Sequence, residues 1–356
     1  MSILVINAGS TSIKYKLFDD DEKEIKQGYL ENIKNHVTAF KLVLREIGDL
    51  RDLTAVGHRV VHGGDKFIKP LLINKENLLE LEKFNDLAPL HNPYNLAGIK
   101  AALEYLPQVK QVAVFDTAFY ADLPLKAKIY ALPTELTEKY KIYRYGFHGI
   151  SHKFVMQESA KLLGKQINRI NLISCHLGGG WSITAIKNGK PMDTSMGLTP
   201  LAGLVMMSRP GDLDAEIIFR LLKVMPGEIN REKVEQLNDV LNHQSGIKGM
   251  TGFEDYKKFL SSVSSGNNQA ELAFSLAIGR LVKYIGSYWT ELEGRTDAIV
   301  FTGAIGAGNP TTRNQVMKRI KCLGELPMLV IKTNEELMIA REVKELIGDA
   351  KYIQHL

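Results

Sequence analysis

Residues 171–199 read NLISCHLGGGWSITAIKNGKPMDTSMGLT, and their first half has the grammar of strand, tight turn, strand. Leu172, Ile173 and Cys175 lead into Gly178, Gly179 and Gly180, and Ser182, Ile183, Ala185 and Ile186 lead out. Three glycines leave the tip without a Cβ. Backbone N–H groups there can approach an anion closely, and such a nest of donors suits a phosphate. A lone GGG hairpin is more often an ordinary turn, so this stretch needs a second observation.

The start of the chain supplies it. Residues 3–7, ILVIN, form a short apolar strand, 8–12, AGSTS, a small donor-rich turn, and 13–18 a returning strand of alternating polarity, closed by Asp19, Asp20 and Asp21. In both places a charged or Asn-Gly turn and further strand-like sequence follow. Two phosphate-type hairpins, one per half, imply duplicated α/β domains facing a shared cleft.

A length of 356 residues is about that of two domains. Hydrophobic content of 45% and charged content of 24% are ordinary for a globular protein. The net charge of +5 is spread without a Lys or Arg run, which disfavours nucleic acid; so modest an excess fits a small anionic substrate as well as it fits nothing in particular. Cys175 and Cys322 are the only cysteines, too few for a disulfide framework or a cysteine zinc site. No apolar stretch approaches the ~20 residues of a membrane span, and Met1-Ser2 runs straight into a strand. A cytoplasmic location is therefore expected.

Several polar residues stand out along the chain. Arg59 lies inside an apolar strand ending in Gly63-Gly64, where an unpaired guanidinium would be costly. A structural ion pair and a cation awaiting an anionic ligand are equally good accounts of it. His91 sits between two prolines ahead of a helix at 94–105, which Asn92 is placed to cap; alone, it reads as a local or surface residue. Asp116 ends the strand VAVF, where open α/β sheets place ligands. Residues 143–152, YRYGFHGISH, hold His148 beside Phe147 between flexible glycines, a plausible donor to a phosphoryl oxygen. Arg209 lies in a loop before an acidic helix start. Residues 245–252 and 303–310 read as further glycine loops, the latter following a buried strand. A long amphipathic helix at 267–293 puts Leu272, Ser275, Leu276, Gly279, Val282, Ile285, Gly286 and Trp289 on one face, a candidate for close helix packing at a subunit interface. Asn334 caps the last helix, with Glu335 and Glu336 in its first turn.

The ordered motifs INAGSTSIKYKLF, GHRVVHGG, LAPLHNP, VAVFDTAF, YRYGFHGISH, HLGGGWSI, DTSMGLTPL, SRPGD, IVFTGAIG and TNEELMIARE closely resemble the acetate kinase (acetokinase) family, from Ile3 to about Glu342. The resemblance implies the actin/Hsp70/sugar kinase fold class: two duplicated ribonuclease-H-like α/β domains with an interdomain cleft. They are expected at 1–118 and 119–336, with a C-terminal helix 337–356 packing back on the first. It implies reversible phosphoryl transfer from ATP to acetate, giving acetyl phosphate and ADP, with Mg²⁺ (Mn²⁺ as an alternative), in a homodimer.

By that resemblance Asn7 is the phosphate- and metal-site asparagine, with Ser10, Ser12 and Lys14 in the same turn. Arg59 and Arg209 bracket the acyl carboxylate and the transferring phosphoryl group. His148 donates to that group, His91 is a further active-site histidine, Asp116 is the catalytic aspartate and Glu335 the metal-associated glutamate. Val61, Leu90, Phe147 and Pro200 form the acetate methyl pocket. His176, Gly178, Gly179, Gly180, Asp255, Lys257, Gly303, Ile305, Gly306 and Asn309 fall on the nucleotide side.

Departures from the family pattern concentrate on that nucleotide side. The usual HLGNG plus a small residue is HLGGG with Trp181, TRSGD is SRPGD with Pro210, and GGIGEN is GAIGAGN with Ala307 and a shifted Asn309; Lys257 stands where arginine is expected. The chain is also short between about Glu31 and Val56. Propionate or butyrate as acceptor, pyrophosphate as donor, and a non-catalytic nucleotide- or acyl-phosphate-binding protein are the alternatives. The retained arginines, Asp116, His148 and Glu335 argue against the last of these, because unpaired cleft charges cost stability.

Overall fold

The structure is a computed structural model that describes residues 2–348. It forms two compact units. One takes in the chain as far as Ala121, the segment Phe147–Phe154 and the chain from Asn334; the other comprises Asp122–Gly146 and Val155–Thr333.

The first unit is built on β1 (Ser2–Ala8), β2 (Ser12–Phe18), β3 (Glu24–Glu31), β4 (Leu53–Val60), β5 (Leu71–Leu72) and β6 (Lys110–Phe115), in sheet order β3-β2-β1-β4-β6-β5. Strand β1 is antiparallel to β2 and parallel to β4, and β4 is parallel to β6. The central position of β1 explains its unbroken apolar run, since a strand covered on both faces has no polar side. Its neighbour Val56 packs with Leu4, Ile6, Phe40 and Val43 under the helix His36–Ile47, together with Ala101 and Ala102 of the helix Asn92–Tyr105. The next residue on β4, Gly57, points the other way: a Cβ there would meet Ile339 and Val343 at 2.8 Å. The final helix, Glu335–Gly348, thus covers the opposite face. Residues 349–356 of the helix expected at 337–356 lie outside the described residues.

The second unit repeats the plan. Its strands are β7 (Leu172–Leu177), β8 (Trp181–Lys187), β9 (Lys190–Thr194), β10 (Ala298–Thr302) and β11 (Met328–Val330), in order β11-β10-β7-β8-β9. Strand β7 is antiparallel to β8 and parallel to β10, and β10 is parallel to β11. Matching β1 with β7, β2 with β8, β3 with β9, β4 with β10 and β6 with β11 gives one order and one set of directions. The twin hairpins are the visible trace of this duplication.

Several local readings differ from the structure. Residues 303–308 form a short helix, Gly303–Gly308, rather than a loop, and 246–251 another, Gly246–Thr251. Runs of glycine hide helix from sequence because they carry neither propensity nor pattern. Asn92 caps nothing: its amide accepts from the His62 N–H at 3.0 Å and donates to the His62 carbonyl at 2.9 Å. The long helix, Asn268–Glu291, buries Ala270, Ala273, Ala277, Ile278, Leu281, Ile285 and Tyr288, while Leu272 of the expected face is 63% exposed. The alanine stripe, with Leu281 and Ile285, faces the core, and Leu272 and Leu276 stay exposed on the face expected at a subunit interface.

Candidate active site

In the first unit Arg59 and Asp116 stand at the C-terminal ends of the adjacent parallel strands β4 and β6. The ladder continues past them, with the Asp116 N–H donating to the Val60 carbonyl at 3.0 Å. The Arg59 guanidinium donates through Nε at 3.2 Å and Nη2 at 2.7 Å to the Asp116 carboxylate, and Nη1 lies 3.8 Å from the Glu335 carboxylate. Burial draws the Arg59 pKa down, but the carboxylates of Asp116 and Glu335 push it up by more, and it stands above its ordinary value. Burial raises the Asp116 carboxyl, Arg59 lowers it and Glu335 raises it, leaving it above the usual carboxylate value. Arg59 is therefore both an ion-pair partner and a cation whose Nη1 edge is turned to a second carboxylate. Of the two accounts left open by the sequence, the geometry shows the ion pair.

Three further segments converge here. The Asp116 carbonyl accepts from the Gly149 N–H at 3.1 Å, and the Phe147 carbonyl accepts from the Tyr120 hydroxyl at 3.0 Å. These two bonds fasten the His148 turn to the end of β6, which explains why 147–154 belongs to the first unit and not to the region 119–336 where the sequence placed it. His148 itself has φ 57°, a left-handed conformation that a side chain rarely adopts without functional or structural cause. The final helix brings Glu335 beside Arg59 and Glu336 beside Lys14, which pairs with it at 2.7 Å. Lys14 faces Asn7 across β1 and β2, so the phosphate-type turn and the glutamate pair share one end of the sheet. Ser10 is exposed and Ser12 half-buried at that turn.

Sequence reasoning passed over the residues that hold this end in place. Asn95 accepts from the Val61 N–H at 3.1 Å and donates to the Ala8 carbonyl at 2.7 Å, tying β4 to the hairpin. Glu336 is almost fully buried, which a helix-dipole role would not require. His62 Nδ1 accepts from the Gly64 N–H, and burial pushes its pKa down to about 4, so the ring is neutral. A buried asparagine within a helix was the one available signal. Of the expected methyl-pocket residues, Val61 and Phe147 are buried, with Phe147 edge-on to His62 at 5.5 Å, whereas Leu90 is 43% exposed. His91 is half-buried at the head of the helix Asn92–Tyr105.

The expected Mg²⁺ fits these residues. Among the described residues no three His, Cys, Asp or Glu side chains converge as a protein-only metal cage. Mg²⁺ needs none, because it retains waters and uses one or two carboxylates plus substrate phosphates. Glu335, Asp116 and Asn7 offer hard oxygen donors of that kind.

In the second unit the glycine turn is closed by the Gly178 N–H donating to the Gly180 carbonyl at 3.0 Å. His176 lies against it: a Cβ on Gly178 would be 3.5 Å from its Nε2. The Met207 N–H reaches the Gly179 carbonyl at 3.4 Å, which brings the Arg209 segment to the same turn. The Arg209 guanidinium is poorly served. Its Nε is buried without a hydrogen-bond partner among the described residues, and Nη1 finds only the Pro200 carbonyl at 3.4 Å and the Met206 sulfur at 3.9 Å. Burial alone lowers its pKa. Asp255 caps the helix Tyr256–Ser264, accepting from the Lys258 N–H at 2.8 Å, and Asn309 caps Pro310–Arg319 through Thr312. Lys257 and Asn309 line one open cavity of about 500 Å³ with Ser261, Ser264, Ser265 and Thr311. Gly303 and Gly306 pack on Leu177, and Ile305 is buried with them.

Duplicated sheets of this order, each with a phosphate-type hairpin at its centre, define a two-domain α/β protein of the actin/Hsp70/sugar kinase fold class. The family model described as the acetokinase family matches residues 32–326. The acetate kinase of Dictyoglomus thermophilum is 42% identical over 403 aligned positions, covering 98% of this chain and 100% of that protein. The crystal structure of Porphyromonas gingivalis acetate kinase superposes with a TM-score of 0.90 at 32% identity, covering 97% of this chain and 99% of that one. A propionate kinase from Francisella tularensis superposes at 0.88 with 36% identity, covering 96% and 98%. The chain belongs to the acetokinase family.

Proposed function

We propose that the chain catalyses reversible, Mg²⁺-dependent phosphoryl transfer from ATP to acetate by direct in-line displacement, giving acetyl phosphate and ADP. A half-buried guanidinium whose buried Nε has no partner and which pairs with no carboxylate among the described residues, that of Arg209, is the observation that carries this reading. It stands ready for an anion that the described chain does not provide. Acetate is ionised at neutral pH, so the reaction needs no strong base. Its obstacle is bringing a carboxylate oxygen onto an anionic phosphorus. The acetate O–P bond forms as the bond to the β-phosphate oxygen breaks, and ADP leaves.

Asp116 holds Nε and Nη2 of Arg59, and Nη1, 3.8 Å from Glu335, is the edge that orients the acyl carboxylate. Arg209 and His148 stabilise the equatorial oxygens as charge spreads across them. Val61 and Phe147 exclude water at the methyl group. The amides of the glycine turn and Lys14 receive the donor phosphates. Mg²⁺, held by Asn7 and Glu335, would neutralise phosphate charge.

An apolar acceptor pocket and the Francisella likeness favour one second reading, propionate as an additional acceptor. Homodimer formation is supported by the helix Ala215–Val224, which is amphipathic yet buries none of its residues and exposes Phe219. No helix of the described residues is long and apolar enough to cross a membrane, which agrees with action in the cytoplasm.

The test is ATP formation from acetyl phosphate and ADP by purified protein, read with and without EDTA. EDTA-sensitive ATP formation supports the reading. Absence of ATP from folded protein with Mg²⁺ rejects it.

A further inference from the structure

Trp181 opens β8 directly after the glycine turn, and its side chain is completely buried. A buried indole N–H needs an acceptor. Here Nε1 donates to the Gly178 carbonyl at 2.9 Å. Both backbone groups of Gly178 are thereby engaged, since its own N–H goes to Gly180. The amides of Gly179 and Gly180 donate to nothing among the described residues.

The same ring meets Tyr256 edge-on at 6.1 Å. The Tyr256 hydroxyl donates to the Thr312 hydroxyl at 2.9 Å, and Thr312 donates through its N–H and hydroxyl to the Asn309 amide oxygen, each at 2.8 Å. One buried side chain therefore sits at the root of three segments: the glycine turn, the helix start carrying Lys257, and the Asn309 cap. Trp181 does not line the Lys257–Asn309 cavity, so it acts on a ligand only through these neighbours.

We propose that Trp181 is a positioning residue for the phosphoryl donor. Its N–H holds the glycine turn in the form that leaves two amides free for donor phosphates, and its ring props the Tyr256–Thr312–Asn309 relay. This inference rests on the phosphotransferase reading above, in which the glycine turn receives the donor.

The experiment uses the full chain. Trp181→Phe keeps the ring and removes the N–H, and should raise the KM for ATP roughly tenfold, the usual scale for orphaning one buried acceptor, while the KM for acetate stays within about twofold. A purely structural role would move both constants together or neither, and either result overturns the proposal. In Trp289→Phe, Trp181 remains as the one indole of the two in the chain; the Trp289 N–H has no partner among the described residues, so that substitution strands none of them. Titrating this variant with ADP and, separately, pyrophosphate should change Trp181 emission, and no response to either overturns the proposal. The titration also decides the matter if Trp181→Phe fails to fold. Wild-type protein inactive with ATP and acetate would reject the assigned activity, while an emission response to ADP would still support the positioning role.

Discussion

The two arginines should respond in opposite ways when their charge is removed. Arg59→Met leaves the buried Asp116 carboxylate without its partner at 2.7 Å and Glu335 without its neighbour at 3.8 Å. Breaking a buried pair from one side costs about 3–5 kcal/mol. Arg209→Met breaks no ion pair and removes a buried Nε–H that has no partner among the described residues. An orphaned donor costs about 1–3 kcal/mol, so its removal should leave stability unchanged or raise it by about 1 kcal/mol. Both variants should lose turnover by roughly 10²-fold or more, the scale for removing a charge-stabilising donor. Urea unfolding followed by circular dichroism, with kcat measured on the same preparations, makes the comparison. The Arg59→Met deficit should also narrow as pH falls. Asp116 already has a raised pKa in the folded protein, and a carboxyl shifted that way favours folding at low pH and loses that contribution as pH rises through its folded pKa. Equal destabilisation by the two substitutions, or near-normal turnover in either, would refute the contrast between a paired and an unpaired cation.

Further outcomes follow from the same structure. His58 and His62 are buried and neutral with pKa values lowered by burial to about 4, against 6.5 when unfolded. Their contribution is complete above about pH 6.5 and is lost as pH falls towards 4, of order 3 kcal/mol each. Urea midpoints between pH 7 and 5 should fall steeply in wild type and less steeply in His58→Gln. Gly149→Ala would set a Cβ 2.1 Å from the Asp116 carbonyl and 2.8 Å from Phe119. It should cost about 1–3 kcal/mol and most of kcat by displacing the His148 turn, whereas Gly179→Ala, which meets nothing within 4 Å, should be tolerated in folding. In sedimentation velocity wild type should yield dimers, as proposed, and Phe219→Asp on the uncovered helix monomers; an unchanged dimer would remove that helix from the interface.

The parts of this protein legible in sequence are those encoded over a few neighbouring residues. Both hairpins announced themselves because small residues between alternating strands are a local pattern, and the position of Asp116 followed from the end of one apolar run. The pairing of Arg59 with Asp116 was not legible, because it joins residues 57 apart in the chain and needs the parallel register of β4 and β6. Asn92 illustrates a competing partner. Its position suited a cap, but the tertiary fold offered it both backbone groups of His62. Glu335 and Glu336 looked alike as first-turn carboxylates, and only the sheet end beneath them distinguishes the Arg59 neighbour from the Lys14 partner. On the long helix the alanine stripe packs the core, while Leu272 and Leu276 lie exposed on the face that the sequence offered for a subunit contact.

The central claim is transfer from ATP to a carboxylate, and hydroxylamine trapping of the acyl phosphate tests it most directly. Purified protein would be supplied with acetate, Mg²⁺ and, in separate reactions, ATP or pyrophosphate. The account predicts acetyl hydroxamate with ATP, its loss in Arg209→Met, and none with pyrophosphate. Hydroxamate with pyrophosphate alone, or none from folded protein with either donor, would contradict it.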